Sequence, residues 1–256
     1  MIFKFFSLIQ LKNLQKEKKP NFALSIEFLM KKTLFLIFYL CGITLFAQTH
    51  RTYLELKSGL SLPILDYSSN NLETGCFTQP GFTTSLEAGM KIYKRWGVTL
   101  QSGFQLHGVD VGYLGWEKIQ VDPFLEDVYI RSDPYRIIHI VGGPEFCLPL
   151  YNKFNFDLKL LGGVFFSRTP YQLYKPTYFM VGPPYYEITS SSDISFACGG
   201  GARIRYAITN CYEVSLQGEF LSSQAAFPFQ TASTSRIENK TITILNISAG
   251  LVLYLF

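Results

Sequence analysis

The sequence predicts an all-β fold, an eight-stranded antiparallel up-and-down β-barrel that crosses a membrane. Eight stretches alternate apolar and polar residues with a period of two, as β-strands do when successive side chains point to opposite faces. The connections between these stretches are alternately short and long. Charged residues within the stretches fall on the face opposite most of the large apolar ones, which is the arrangement of a barrel with a polar interior and lipid outside.

The alternation is clearest at 82–93, where Leu86 and Met90 share one face while Glu87 and Lys91 share the other. A tilted transmembrane strand needs about 9–11 residues, and each of the eight stretches is long enough. The predicted strands are 53–62, 82–93, 97–107, 136–148, 154–167, 193–207, 212–221 and 242–255.

The last predicted strand changes phase along its length. Ile242 and Ile244 fall on one face, whereas Leu251 and Leu253 fall on the other. One extra residue in a strand shifts the alternation by one position. We therefore expect a β-bulge near Leu245.

The connections predict which side of the membrane each strand end faces. Those at 94–96, 149–153 and 208–211 are tight, and outer-membrane barrels have short periplasmic turns and longer extracellular loops. The predicted extracellular loops are 63–81, 108–135, 168–192 and 222–241. Aromatic residues at the periplasmic strand ends are expected to form a girdle at the lipid headgroups; they are Tyr53, Tyr93, Trp96, Tyr151, Phe154, Tyr206, Tyr212 and Tyr254.

The charged strand residues separate this fold from a soluble β-sandwich or lipocalin-like barrel, which would have an apolar interior. The lumen of an eight-stranded barrel is only just wide enough for side chains to fill, and an isolated buried charge is costly. We therefore expect a paired charge network in a closed lumen. Its members are Glu55, Lys57, Glu87, Lys91, Glu145, Asp157, Lys159, Arg203, Arg205, Glu213 and Glu219.

The pattern of the N-terminal segment predicts an export signal. Lys31 and Lys32 form a positive start, an apolar run follows to Phe46, and Ala47 offers a cleavage point. The run is shorter than the ~20 residues of a membrane-spanning helix. We expect 30–47 to be a cleaved signal peptide and 48–256 to be the outer-membrane barrel domain. Residues 1–29 then represent a mis-assigned start or, alternatively, an N-terminal extension.

The charge excludes a nucleic-acid partner. The 256 residues carry a net charge of +4, but removal of 1–47 takes away seven lysines and two glutamates and leaves 16 basic against 17 acidic residues. A phosphate-binding surface would need clustered positive charge. Four cysteines remain, with no metal-ligand spacing, so no metal or cofactor is expected; they are Cys76, Cys147, Cys198 and Cys211.

Two features could carry a site. His107 and His139 face inward on adjacent predicted strands, which leaves open a lipid-modifying enzyme, although buried structural histidines are the preferred interpretation because a hydrolase needs a nucleophile, base and orienting group within hydrogen-bonding reach. The loop 168–192 is rich in aromatic residues, which either form a ligand-binding surface or pack over the barrel mouth. These are Tyr171, Tyr174, Tyr178, Phe179, Tyr185 and Tyr186.

The chain resembles the PorT-like outer-membrane β-barrels of the Bacteroidota in three places. They are the signal end Leu-Phe-Ala-Gln-Thr at 45–49, Leu-Lys-Ser-Gly-Leu-Ser at 56–61 and Ile-Val-Gly-Gly-Pro-Glu-Phe at 140–146. The resemblance implies a barrel without catalytic residues and a link to protein export.

The expected protein is a non-enzymatic, monomeric outer-membrane barrel in contact with outer-membrane lipid. We expect its loops to contact a surface protein, an export-machinery protein, a glycan or lipopolysaccharide. A narrow solute channel is a further alternative, and the crowded charged lumen disfavours it.

Overall fold

The computed structural model describes residues 52–151, 153–179, 181–230 and 235–255. The signal peptide expected at 30–47 and the segment 1–29 lie outside these ranges. The described elements are β1 (Thr52–Pro63), a 3₁₀ turn (Leu65–Tyr67), β2 (Gly81–Tyr93), β3 (Trp96–His107), α1 (Val111–Val121), β4 (Leu125–Ser132), β5 (Tyr135–Tyr151), β6 (Phe154–Arg168), β7 (Gln172–Tyr178), β8 (Tyr186–Ile188), β9 (Ser192–Ala207), β10 (Tyr212–Gln230) and β11 (Ser235–Leu255).

Eight of these strands close into an antiparallel barrel in the order β1-β11-β10-β9-β6-β5-β3-β2. Closure occurs where β1 pairs with both β2 and β11, for example at Leu56, whose partners are Leu86 and Leu251. All eight predicted strands are confirmed. A closed sheet leaves no unpaired edge, so every strand of the wall satisfies its backbone hydrogen bonds within the barrel.

The outer wall of the barrel is apolar. Leu56, Leu86 and Leu251 point outward in one row and are each more than 50% exposed. Large aliphatic and aromatic side chains continue this belt on the other strands, including Leu100, Leu160, Phe196 and Leu216. An apolar surface of this extent on a monomer is a contact surface, and around a closed barrel it is the surface that lipid covers.

The interior has two layers of different chemistry. The half nearest the short turns holds the charged residues, and the half nearest the long loops holds a large apolar cluster among uncharged polar side chains such as Gln105, Ser167 and Thr243. The apolar layer, which we call the upper plug, consists of Tyr67, Cys76, Ile137, Val141, Leu161, Phe165, Ala197, Leu221, Ala225, Phe227, Ile242 and Ile244. The charged residues and these apolar ones share the inner face, so the inner face is not uniformly polar.

The upper plug also explains the phase change in the last strand. β11 pairs with β1 and β10 in an unbroken register through Leu245, so the predicted bulge is wrong. Ile242 and Ile244 point inward because they join the apolar cluster that packs in the lumen at their level, where each is almost fully buried. Leu245 and Leu251 point outward on the same regular strand.

Two members of the predicted aromatic girdle point inward instead. Tyr53 is buried in the lumen beneath the guanidinium of Arg203, whose Cζ lies 4.9 Å from the ring centroid. Tyr254 lies beside it, with ring centroids 6.0 Å apart. The other six girdle residues are exposed on the outer wall or turns, as predicted. Inward tyrosines satisfy their hydroxyls on the charged layer, which lipid could not do.

The predicted loop 222–241 is largely strand. β10 and β11 continue their pairing from Ser222 and Thr243 up to Gln230 and Ser235, whereas β9 leaves β10 after Ser223. The hairpin therefore rises above the barrel. Its inward residues Ala225 and Phe227 enter the upper plug, so the hairpin helps to close the mouth.

The other long connections fold into a separate layer, which we call the cap. β4, β7 and β8 form a three-stranded antiparallel sheet, and α1 packs on one of its faces. The side chain of Asp110 caps α1 by accepting a hydrogen bond from the backbone N of Tyr113 at 3.0 Å. The bridge between Thr78 and Val109 ties the first long loop to the base of α1. No described helix is long and apolar enough to cross a bilayer.

Candidate functional site

The charged layer is centred on Arg203. Its Nε donates to Asp157 at 2.8 Å and its Nη2 to the hydroxyl of Tyr53 at 2.9 Å, and the same guanidinium also pairs with Glu55, Glu87 and Glu145. One planar fork with five N–H donors suits this arrangement, since it can reach several carboxylates from one position.

Lysines bridge the remaining carboxylates. Lys57 Nζ donates to Glu87 at 2.8 Å and to Glu219 at 2.9 Å, while Lys159 Nζ bonds Glu87 from the other side. Arg205 pairs with Asp157 and with Glu213, the latter at 3.2 Å. Ten of the eleven predicted network residues are therefore brought together in the lumen, each at most 7% exposed.

Lys91 is the exception. It is half-buried, and its Nζ lies 3.8 Å from the Sγ of Cys147, with no carboxylate within 4.0 Å among the described residues. Glycines make room for the larger members of the layer. A Cβ added at Gly89 would overlap the ring of Tyr53, and one added at Gly103 would overlap the ring of His139.

The two histidines lie at different heights in the lumen: His139 borders the charged layer, whereas His107 is the last residue of β3 at the extracellular end, where it pairs with Tyr135. His107 Nε2 lies 3.2 Å from Ser61 Oγ, and the hydroxyl of Ser61 donates to Asn246 at 2.6 Å. A hydroxyl and an imidazole thus meet within hydrogen-bonding distance. Both are fully buried, and the ring of Tyr67 lies against His107 at 5.4 Å between centroids. A lipid acyl group has no access to this pair in the closed barrel.

His139 has a structural environment as well. Its ring nitrogens lie 3.1 Å from the side-chain nitrogen of Gln101 and 3.4 Å from that of Gln105, and it is fully buried. No group of three or more metal-ligating side chains occurs in the ranges that the structure describes.

The predicted loop aromatics divide between the inside and the outside of the cap. Tyr174 is 1% exposed in the core of the cap and stacks on Tyr186 with centroids 4.6 Å apart, and Tyr178 packs against the same core. Tyr174 therefore does not belong to the exposed surface predicted for this loop. Phe179 and Tyr185 are exposed on the outside, and Tyr171 is partly exposed.

Lys118 on α1 lies over the stacked pair. Its Nζ is 4.8 Å from the ring centroid of Tyr174 and 5.9 Å from that of Tyr186, which is cation–π geometry. Burial lowers the pKa of Lys118 and raises the pKa of Tyr174, because both charged forms lose hydration. This contact fixes the helix on the sheet.

The outer surface of the cap carries large aromatic side chains, of which the sequence predicted Phe179 and missed Tyr113, Trp116 and Phe124. We call Tyr113, Trp116, Phe124 and Phe179 the exposed aromatic set, and each is between 40% and 74% exposed. The rings of Tyr113 and Trp116 lie 5.5 Å apart on α1, and the backbone N of Phe179 donates to the carbonyl of Phe124 at 3.0 Å. Tyr113 and Trp116 are three residues apart and share the exposed face of α1, and this spacing is the sequence signal that could have found them.

Three solved structures illustrate what the fold resembles. The neisserial surface protein A (NspA) is 11% identical over 79% of this chain and 96% of its own, with a TM-score of 0.46. The attachment invasion locus protein Ail of Yersinia pestis is 10% identical over 80% and 99%, with a TM-score of 0.41. A major outer membrane protein of Thermus thermophilus is 11% identical over 81% and 100%, with a TM-score of 0.45. Similarities this low carry no argument about function.

Sequence comparisons do not assign the chain to a family. No protein-family model matches the chain, and no curated protein matches it. The location of the protein follows instead from its own structure. The barrel is closed, even-stranded and antiparallel, its outer wall is apolar, and its short turns lie at the end opposite its long loops. The chain is an integral protein of the bacterial outer membrane.

Proposed function

We propose that this protein is a closed, non-enzymatic outer-membrane barrel whose folded cap presents a recognition surface to another surface component. The observation that carries the proposal is the exposed aromatic set. The cap buries its own core around Leu114, Val128 and Tyr174, yet it leaves Trp116 and Phe179 in solvent. Aromatic side chains exposed on a rigid scaffold favour binding, since they offer a large contact area at little entropic cost.

The filled lumen argues against transport as the main role. A solute would have to pass both the upper plug and the charged layer, whose members are held by hydrogen bonds to several neighbours. Displacing one buried charge from its partners costs several kcal/mol. We infer that the barrel serves as a rigid anchor and that recognition occurs on the cap.

The partner that we propose is a protein of the cell surface or of an export assembly. Exposed aromatic side chains with polar edges are typical of protein interfaces. The resemblance to PorT-like barrels supports the export assembly as the first place to look. An accessory barrel of this kind needs no catalytic residues of its own.

The test is crosslinking and co-purification from intact cells. We compare the wild type with the triple variant Trp116→Ser, Phe124→Ser and Phe179→Ser. The control is Tyr129→Ser, which removes an aromatic ring that is 63% exposed on the open face of the cap sheet. Point variants are preferable to deletion of 171–186, which would remove β7 and unfold the cap.

The expected result is a stoichiometric partner that the triple variant loses and the control retains. Equal recovery of the same partner with all three proteins would refute recognition by the aromatic set. Recovery of the wild-type barrel alone would refute a stable protein partner. Two further measurements address the alternatives: steady single-channel conductance in a planar bilayer would indicate a channel, and a change in lipid A mass that depends on His107 would indicate an enzyme.

A further inference from the structure

A groove lies on the outer wall of the barrel, at its extracellular end. It crosses strands β3, β5, β6 and β9, and its volume is about 670 Å³. Its floor is one row of outward side chains joined by strand pairing: Phe104, Ile138, Phe166 and Ile194. This row belongs to the apolar belt, so acyl chains of the surrounding lipid are the natural contact for it.

The next row toward the cap changes character. Arg136 and Arg168 point outward there and are direct partners across β5 and β6. Both are exposed, and Leu106 and Ser192 flank them in the same row. Like charges directly opposite each other on one face of a sheet destabilise the pair. An anion bound between the two guanidinium groups would offset their repulsion.

The protein supplies no such anion among its described residues. Arg168 donates to the hydroxyl of Ser190 from Nε at 3.3 Å and from Nη2 at 3.0 Å, and neither arginine has a carboxylate within 4.0 Å. Asp133 and Asp193 line the same region. The carboxylate of Asp193 accepts a hydrogen bond from the backbone N of Ala226 at 2.8 Å, and neither aspartate forms an ion pair with Arg136 or Arg168.

The position of Arg136 and Arg168 along the barrel axis indicates which anion could bind them. They follow directly after the outward apolar row of Ile138 and Phe166, at the extracellular end of the belt, and the headgroups of the outer leaflet belong at the edge of such a belt. Arginine binds phosphate through two parallel hydrogen bonds and is favoured where that geometry matters. An occupant therefore has acyl chains and a phosphate at one end, and it belongs to the leaflet that faces the outside of the cell.

We propose that this groove binds the lipid A part of lipopolysaccharide, with a phosphate between Arg136 and Arg168 and acyl chains on the row from Phe104 to Ile194. The proposal rests on the outer-membrane barrel and is independent of recognition by the exposed aromatic set. A smaller pocket of about 70 Å³ adjoins the groove at Pro134, Arg136 and Arg168 and reaches Tyr171 at the edge of the cap.

The experiment is a titration of the purified, delipidated barrel in detergent, with bound lipid counted by native mass spectrometry. The probes are bisphosphorylated lipid A and lipid A from which both phosphates have been removed. The variant is Arg136→Gln with Arg168→Gln. The matched control is Arg95→Gln with Arg236→Gln, which removes the same charge from a short turn and from the β10–β11 hairpin.

A hydrogen bond to a charged group changes affinity by about tenfold or more. We therefore expect the groove variant to bind bisphosphorylated lipid A at least ~10-fold more weakly per arginine removed, with the control unchanged. The wild type should prefer the phosphorylated probe. Equal binding by the groove variant and the wild type would overturn the proposal, as would equal binding of both probes to the wild type.

Folding is checked in each sample by the heat-dependent shift of the band on a detergent gel. Should the double variant fail this check, the single variants Arg136→Gln and Arg168→Gln carry the same test. Inorganic phosphate is included as a competitor. We expect it not to displace lipid A, and displacement at equal concentration would show a site for free phosphate instead. Loss of the cap partner in the crosslinking experiment would leave this result unaffected.

Discussion

Replacing Arg203 with glutamine tests how much the charged layer stabilises the barrel. The guanidinium is fully buried and contacts four carboxylates. After the change, Glu87 keeps two lysines, Asp157 keeps Arg205, and Glu145 keeps Arg205 at 3.9 Å. Glu55 retains only a hydroxyl partner, without a cation within 4.0 Å among the described residues.

The expected loss of stability in Arg203→Gln follows from the carboxylate of Glu55. Removing one partner of a buried ion pair costs ~3–5 kcal/mol, because the other charge stays buried without compensation. We expect Arg203→Gln to lower the free energy of unfolding by about this amount. Because the cost comes from Glu55, adding Glu55→Gln should restore part of it. The double variant should then be more stable than Arg203→Gln alone.

The assay is urea unfolding of the barrel in lipid vesicles, followed by tryptophan fluorescence and by the band shift on a gel. With a urea dependence of about 1–3 kcal/mol per molar for a small protein, the midpoint should fall by about 1 M or more. Arg95→Gln in an exposed turn is the control. An unchanged midpoint for Arg203→Gln, or a double variant less stable than the single one, would refute the reasoning.

Three other predictions follow from the packing and the sidedness. Gly89→Ala forces a Cβ into the ring of Tyr53, and we expect a loss of ~1–3 kcal/mol in the same urea titration; no loss would mean that the ring moves freely. Tyr174→Ala should leave the cap open to protease while the barrel keeps its heat-dependent band shift, and a protease-resistant cap would contradict its core. A membrane-impermeant maleimide should label the exposed turn residue Cys211 only after the outer membrane is permeabilised, whereas Tyr185→Cys should react on intact cells. The opposite labelling pattern would show that the barrel has the reverse orientation in the membrane.

The eight barrel strands could be predicted because alternation reports directly on a wall with one apolar face. At Ile242 and Ile244 the same alternation led to the wrong prediction of a β-bulge. Alternation assigns a residue to a face, but it does not say whether the lumen is polar or apolar at that height. The two layers arise only when strands distant in sequence bring Ile137, Phe165 and Leu221 to one level.

The fold of the cap could not be predicted from the sequence, for a related reason. Its sheet pairs β4 with β7, so that Ile130 meets Tyr174 across a wide gap in sequence. Only that register decides that Tyr174 faces the core while its neighbour Lys175 faces solvent. The paired charges of the lumen were easier to predict, because ionisable residues on inward positions of a narrow barrel have few other partners, and ten of the eleven predicted residues pair there.

The proposed lipid site and the cap meet at the same structural point. Arg136 lies directly after the connection from β4 of the cap into β5 of the barrel, and Arg168 is the last residue of β6 before the chain enters β7. The backbone N of Asp133 donates to the carbonyl of Tyr171 at 2.9 Å, which joins the two crossings. Repulsion between the arginines therefore acts on the junction that supports the cap. A phosphate bound between them removes that repulsion where the cap is attached, so the same contact that holds the lipid also stabilises the base of the recognition surface.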